Sequence, residues 1–443
     1  MISFFLVNEN VPAGRKKWLY CFFLCYIISL FIYHSPVITN ALMVCIFFMA
    51  LLTAAPKNYI SCFKNNRLIF GFVLFYLWQC ISVFFSANKQ DGLNVLAVRF
   101  SLLILPLAFC LVDFEMKTWK RILLFYASVT TLASMLGFAF GAYMAVTHHD
   151  SGYLYNDNIS ELLLDKQAVY FGFYVNVAIL IFIYAVKSEG ELNARQKNSV
   201  IAALVWLVFI SFMLASKTSI ACLLLILFLL AVQHIVIKKK YMEGALLIMG
   251  LVVGTILVGK FFPKTFNRFK GITETNFVFE NRNRENHFNA DYNKDKWNST
   301  NTRTALWQCG MEIWKKNFLF GTGLGDRKQT LKEKYTEKHF WYAIDTEKNL
   351  HNQYLDIAVS MGLTGLFIFI FIFFAYPLKI FWKNRQGFSI AVFCCLAISF
   401  FTENMLDRFQ GEIIIAFILP IAAKVGAQSK NIMLRDSPAY TSQ

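Results

Sequence analysis

Scattered along the chain, Arg99, Lys217 and Arg303 are cations that could meet an anion, and His351 and Glu403 have the types needed to activate a hydroxyl. His351 stands in His351-Asn352-Gln353-Tyr354, where a polar stretch meets a long apolar run. A His there is either a polar anchor or a general base, since imidazole titrates near neutral pH. On a helix Tyr354 shares its face and could orient the ring. Arg303 opens a helical pattern, and a helix start combines free N–H groups with positive potential, so an Arg there is an anion site or an ordinary surface cation. Lys217, in Ala215-Ser216-Lys217-Thr218-Ser219, is the sole charge between residues 199 and 237, at a turn between two apolar runs, and so calls for a partner. Arg99 lies inside an apolar run, where it snorkels or faces a cavity that receives an anionic head group. Glu403, Asp407 and Arg408 share a late turn as a salt-bridged loop, or as a source of one carboxylate that assists a hydroxyl. Gly321-Thr322-Gly323-Leu324-Gly325-Asp326 follows no strand and lacks the Lys-Ser/Thr ending of a phosphate loop, so it reads as a tight structural turn.

The elements that must position these groups are set by composition. Of 443 residues, 57% are hydrophobic, 17% aromatic and only 16% charged, and the mean hydropathy is +0.48. Soluble domains carry about 25% charged residues, and several uncharged runs here reach or approach the ~20 residues that cross a bilayer. The reading is an all-α polytopic membrane protein, which excludes a cytosolic enzyme, a DNA-binding domain or a secreted module as the whole chain. Apolar segments near 18–33, 36–55, 68–85, 92–112, 121–146, 167–186, 199–214, 218–237, 244–262, 355–376, 388–402 and 411–425 predict twelve transmembrane helices. The first follows Arg15-Lys16-Lys17 without a convincing small-residue cleavage site and reads as a retained helix.

Basic residues set the expected orientation. With the N-terminus inside, each of seven inner segments carries three Lys or Arg, from Arg15/Lys16/Lys17 to Lys238/Lys239/Lys240 and Lys424/Lys430/Arg435. The short outer segments hold only Lys89, Lys166, Lys217 and Arg408. Twenty-one against four is a positive-inside pattern that puts both termini in the cytoplasm. It also accounts for most of the net charge of +16, so no nucleic-acid partner is called for. The predicted organisation is a membrane bundle over 1–262, a periplasmic loop over 263–354, a second bundle over 355–425 and a cytoplasmic tail over 426–443. In the loop, Thr265 to Thr302 reads as irregular. From Arg303 to Lys316 an amphipathic helix with Trp307 and Trp314 is predicted to lie along the membrane boundary, with Ser299, Thr300 and Asn301 as candidate N-caps. Of ten Cys only Cys309 falls in this loop, which leaves no intramolecular disulfide there and no spacing for a metal cluster.

Thr302-Arg303-Thr304-Ala305-Leu306-Trp307, Asn317-Phe318-Leu319-Phe320 with the glycine turn, His351-Asn352-Gln353-Tyr354-Leu355 and Met361-Gly362-Leu363-Thr364-Gly365-Leu366 occur in the order seen in one family. Over about 303–366 the chain resembles the O-antigen ligase and polymerase superfamily of bacterial membrane glycosyltransferases, with weaker likeness at Arg99–Pro106, Tyr170-Phe171 and the Glu403 region. The resemblance implies a membrane-embedded fold of the C type. It also implies an undecaprenyl-diphosphate-linked glycan donor in the bacterial inner membrane, and an acceptor that is lipid A-core, another glycan or a protein hydroxyl. The family's essential His falls on His351, its loop Arg on Arg303 and its outer-turn Arg on Lys217, a departure that keeps charge but loses the bidentate fork. Tyr170-Phe171 is preceded by Gln167-Ala168 where relatives often have His-Pro, and is assigned no role. Catalysis is thus expected from His351 and Arg303, and substrate binding from Lys217, Arg99, Asn352, Tyr354 and Glu403. No cofactor or metal is expected, because a glycosyl diphosphate brings its own leaving group, and transfer should invert the anomeric carbon. Ligase activity on lipid A-core is the first reading, polymerase or protein O-oligosaccharyltransferase the alternative. A twelve-helix transporter or flippase ranks lower, because the spans are nearly uncharged and one asymmetric loop carries the polar residues.

Overall fold

The computed structural model describes residues 14–33, 36–187, 192–232, 241–261 and 296–427, with short stretches between 235 and 239 and between 272 and 285. Lys238, Lys240, Lys430 and Arg435, the tail and most of 263–300 lie outside them. The described residues form helices and no strand. The first half comprises α1 (Arg15–Ser29), α2 (Pro36–Thr53), α3 (Tyr59–Asn65), α4 (Arg67–Phe84), α5 (Lys89–Val98), α6 (Ser101–Leu111) and α7 (Met116–Thr147). It continues with α8 (Asp157–Leu164), α9 (Ala168–Lys187), α10 (Ala194–Met213), α11 (Lys217–Val232) and α12 (Tyr241–Phe261). The loop adds α13 (Ser299–Lys316), α14 (Arg327–Glu337) and α15 (Trp341–Asp345), and the chain returns through α16 (Gln353–Ile370), α17 (Tyr376–Lys383), α18 (Gly387–Thr402) and α19 (Phe409–Ala427).

Each of the twelve apolar segments contains a helix, but among the described residues seven helices are long and apolar enough to cross a bilayer, or eight if the bent pair α5–α6 is one span. Helix α18 has only 16 residues and α1 has 15, short of the ~20 that span hydrocarbon; the described part of α11 has 16. At the α5–α6 elbow the axis turns by 42°. Helices α9 and α19 are the centre of the bundle, each with 78% of its span buried. Their sequences are apolar on all sides, as a helix surrounded by others requires. Around α9 pack α7, α10, α11, α18 and α19.

Two loop features differ from the expectation. Helix α13 starts at Ser299, with Asn298 as its N-cap, accepting from the Thr300 and Asn301 N–H groups while the Asn301 side chain accepts from Asn298 N. Its apolar face, Ala305, Leu306, Cys309 and Ile313, is buried in a second core with Trp297, Leu331, Tyr335, Phe340, Leu350 and Val359. The stripe read as a membrane-boundary surface is therefore used to close the loop against α14 and α16, because burying it against protein removes the same apolar area from water.

The glycine turn threads a broken helix. Gly362, at φ 65°, interrupts α16, and the freed backbone groups are met by the turn. Thr322 N–H donates to Val359 O, Gly323 N–H to Ser360 O, and Leu363 N–H to Phe318 O. A Cβ on Gly321 would lie 2.5 Å from Met361 N, and one on Gly362 would lie 2.3 Å from Leu319 O. Only glycine permits both the left-handed backbone and this approach. Asp326 then accepts from the Ala87 and Asn88 N–H groups, and Gly325 N–H donates to Ser86 Oγ. The motif anchors the loop to α4 and α5.

Candidate active site

Three helix ends and one strained residue bring the chemical groups together. Lys217 opens α11, Ser299 and Arg303 lie in the first turns of α13, and Glu403 follows the last residue of α18. A contact of 2.6 Å between the Thr218 and Thr402 hydroxyls ties the first and third of these together. Lys217 Nζ donates to Ser299 Oγ at 2.7 Å, while Arg303 donates from Nη1 to Ser299 O at 2.9 Å and from Nε to Thr402 O at 3.2 Å. Two cations more than eighty residues apart thus grip the same residue. Arg303 is one turn inside α13, so its anchoring comes from these carbonyls, and the helix's first N–H groups are taken by Asn298.

His351 sits at φ 44°, a left-handed conformation that costs a non-glycine residue of order 1–3 kcal/mol and recurs at functional sites. Its N–H donates to Asn349 Oδ1, and its Nδ1 lies 2.9 Å from both carboxylate oxygens of Glu403. Burial opposes ionisation of Glu403, but His351, Arg303 and the Asn404 N–H outweigh it and hold the carboxyl below its usual range. An ionised Glu403 makes Nδ1 the protonated nitrogen and leaves the Nε2 lone pair to accept a proton. The His351 side chain is 25% exposed and that of Glu403 9%, so a ligand can reach the ring while its carboxylate partner stays screened.

A buried ionic network fixes the turn that carries Glu403. Arg99 donates from Nη2 to Asp407 at 2.6 Å, from Nη1 to Gln79 at 2.6 Å and from Nε to Leu406 O. Arg327 bridges Asp356 and Asp407. Burial would raise the Asp407 carboxyl, yet Arg327 and Arg99 hold it well below the ordinary value. Burial likewise disfavours charged Arg327, and Asp356 and Asp407 more than compensate. Asn404 Oδ1 accepts from Asn352 N–H and Gln353 Oε1 from Leu406 N–H, which zips the turn to the residues after His351.

The structure thus gathers Lys217, Arg303, His351 and Glu403 and assigns the other three expected residues elsewhere. Arg99 is fully buried and committed to the ionic network, because a guanidinium in the bundle interior needs carboxylate and carbonyl partners. Asn352 caps α16 by accepting from Leu355 N–H. Tyr354 packs against Phe369, Phe374 and Phe400 and donates its hydroxyl to Ala397 O, which turns it from the His351 ring into the core. Sequence reading missed Ser299 and Thr402, whose roles are backbone and hydroxyl contacts, and Arg327 and Asp356. The one available signal for Asp356 was a carboxylate three residues into an apolar span, which rarely lacks a partner.

In this all-α polytopic membrane protein two cations converge beside a His–carboxylate pair, an arrangement chemically able to hold an anion next to a proton acceptor. Residues 202–370 match the family model described as O-antigen ligase. Over these residues the chain is similar to the O-antigen ligase superfamily, a glycosyltransferase-type enzyme family. The match contains Lys217, Arg303 and His351 and leaves Arg99 and Glu403 outside. No curated protein matches the chain.

Proposed function

We propose that the protein transfers a glycan from an undecaprenyl-diphosphate donor to a hydroxyl acceptor on the periplasmic side of the bacterial inner membrane, with lipid A-core as the first acceptor to test. The carrying observation is the convergence of Lys217 and Arg303 on Ser299 beside the His351–Glu403 pair. His351 Nε2 takes the acceptor hydroxyl proton as the oxygen attacks the anomeric carbon from the face opposite the diphosphate, which inverts that centre. The bond to the diphosphate breaks, and Arg303 and Lys217 bind the charge that develops on it. Glu403 orients the ring and stabilises the imidazolium. The reaction needs no metal, because the leaving group is activated and its charge is met by side chains.

The test is transfer from a purified lipid-linked donor by full-length protein in nanodiscs. His351→Ala should lower kcat by about 10²–10⁴-fold, the usual worth of a general base, with abundance unchanged, and activity should persist in EDTA. Near wild-type transfer by His351→Ala would remove the base. Loss in EDTA with rescue by a divalent ion would remove the metal-free mechanism. Polymerase and protein-glycosylating activities share this chemistry and are separated by offering each acceptor in turn.

A further inference from the structure

A cleft of about 590 Å³ opens between α5, α14, the 343–349 segment and the 407–408 turn, within the size range of small-molecule sites. It adjoins the candidate active site. Asn349, on its wall, accepts the His351 N–H, and Arg408 lies five residues beyond Glu403. Five cations line it, Arg327, Lys328, Lys332, Lys348 and Arg408, against three carboxylates, Asp91, Glu347 and Asp407. Most of the cations are matched: Lys328 with Glu347 and Arg327 with Asp407 within the cleft, and Lys348 with Glu285 outside it. Lys332 and Arg408 are exposed and have no ion-pair partner among the described residues. The amides of Asn94, Gln329 and Asn349 share the lining.

We infer that this cleft binds a sugar residue bearing an anionic substituent, which positions a glycan for reaction at His351. Amides and carboxylates serve sugar hydroxyls, which donate and accept at once. Lys332 and Arg408 supply the charge for a phosphate or carboxylate, Arg408 with a planar fork and Lys332 as a point charge. Arg327, anchored at the floor by Asp356 and Asp407, keeps the wall rigid without being spent on the ligand. The inference rests on the glycan-transfer reading and specifies its substrate as anionic. The anionic sugar belongs to the acceptor or to the donor glycan, and kinetics separate the two.

Binding is measured first, by ligand-detected NMR on full-length protein in nanodiscs, with glucose 6-phosphate, glucose and inorganic phosphate as probes. Glucose 6-phosphate should bind at least about tenfold more tightly than either fragment, and Lys332→Glu/Arg408→Glu should erase that preference. His351→Ala should leave it intact, so this titration survives failure of the catalytic reading. In the transfer assay the double charge reversal should raise KM for one substrate about tenfold or more at unchanged kcat. A rise confined to the acceptor places the anionic sugar there, and one confined to the donor places it on the donor glycan. Equal binding of the probes, preference retained in the double variant, or both KM values unchanged would overturn the proposal. Both altered side chains are exposed, so the variant should fold, and a melting temperature within a few degrees of wild type verifies this.

Discussion

Replacing Glu403 by Gln keeps the shape and one hydrogen-bond acceptor at His351 Nδ1 but removes the charge. Nδ1 lies 2.9 Å from each carboxylate oxygen, which puts the centres of imidazolium and carboxylate charge about 4 Å apart. At an effective dielectric of about 20 that separation is worth about 4 kcal/mol. The amide's remaining hydrogen bond offsets part of it, which leaves about 3–4 kcal/mol, or a fall of about 10²–10³-fold in kcat at about 1.4 kcal/mol per decade. Arg303 is the counterweight, because its charge faces Glu403 and stays unbalanced beside the developing imidazolium in the variant. The full charge-pair loss is therefore the better guide than the hydrogen bond alone. The assay is single-turnover transfer from lipid-linked donor for Glu403→Gln, His351→Ala and the double variant. Residues that act as one unit are non-additive, so the double variant should fall no further than His351→Ala. A rate within about threefold of wild type for Glu403→Gln, or a double variant whose losses multiply, would show that the carboxylate does not work through the ring.

Other outcomes follow from the same geometry. Arg303→Lys should lower donor-dependent transfer about tenfold or more, because a single ammonium cannot hold both Ser299 O and Thr402 O and still face a phosphate. Lys217→Arg should be tolerated and Lys217→Ala should not, read as KM for donor. Gly362→Ala, with its Cβ 2.3 Å from Leu319 O at φ 65°, should cost more than about 3 kcal/mol through strain and clash. Gly250→Ala, with nothing within 4 Å, should be near neutral, and melting temperatures compare the two. Because Cys309 is fully buried, orientation is better read from Lys316→Cys in a Cys-free background. A membrane-impermeant thiol reagent should label it in intact spheroplasts, and in a second variant that keeps Cys62 as its one cysteine should label Cys62 only after permeabilisation; the reverse pattern would invert the topology.

Composition and apolar run length determined the helical membrane class, because a bilayer leaves few ways to satisfy backbone polar groups. Local residue order carried the likeness to the O-antigen ligase family and pointed to His351, Arg303 and Lys217, whose chemical types are informative one at a time. The glycine turn was legible as structure, since its glycines suit positive φ and it lacks what a phosphate loop needs. Span number was only partly legible, because hydropathy does not register that α18 stops at 16 residues or that α5 and α6 meet at an angle. Tertiary structure alone decided the pairings. Periodicity gives an apolar stripe on α13 without saying whether lipid or protein covers it, and here the second core does. A lone Arg in an apolar run is equally a ligand site or a buried strut, and Arg99 is the strut because Asp407, far away in sequence, and Gln79 on α4 fold onto it. Glu403 and His351 are 52 positions apart and become one chemical unit only when the 403–408 turn is zipped onto the start of α16. Side-chain type is a local property of the chain, whereas a partner within 3 Å is a property of its packing.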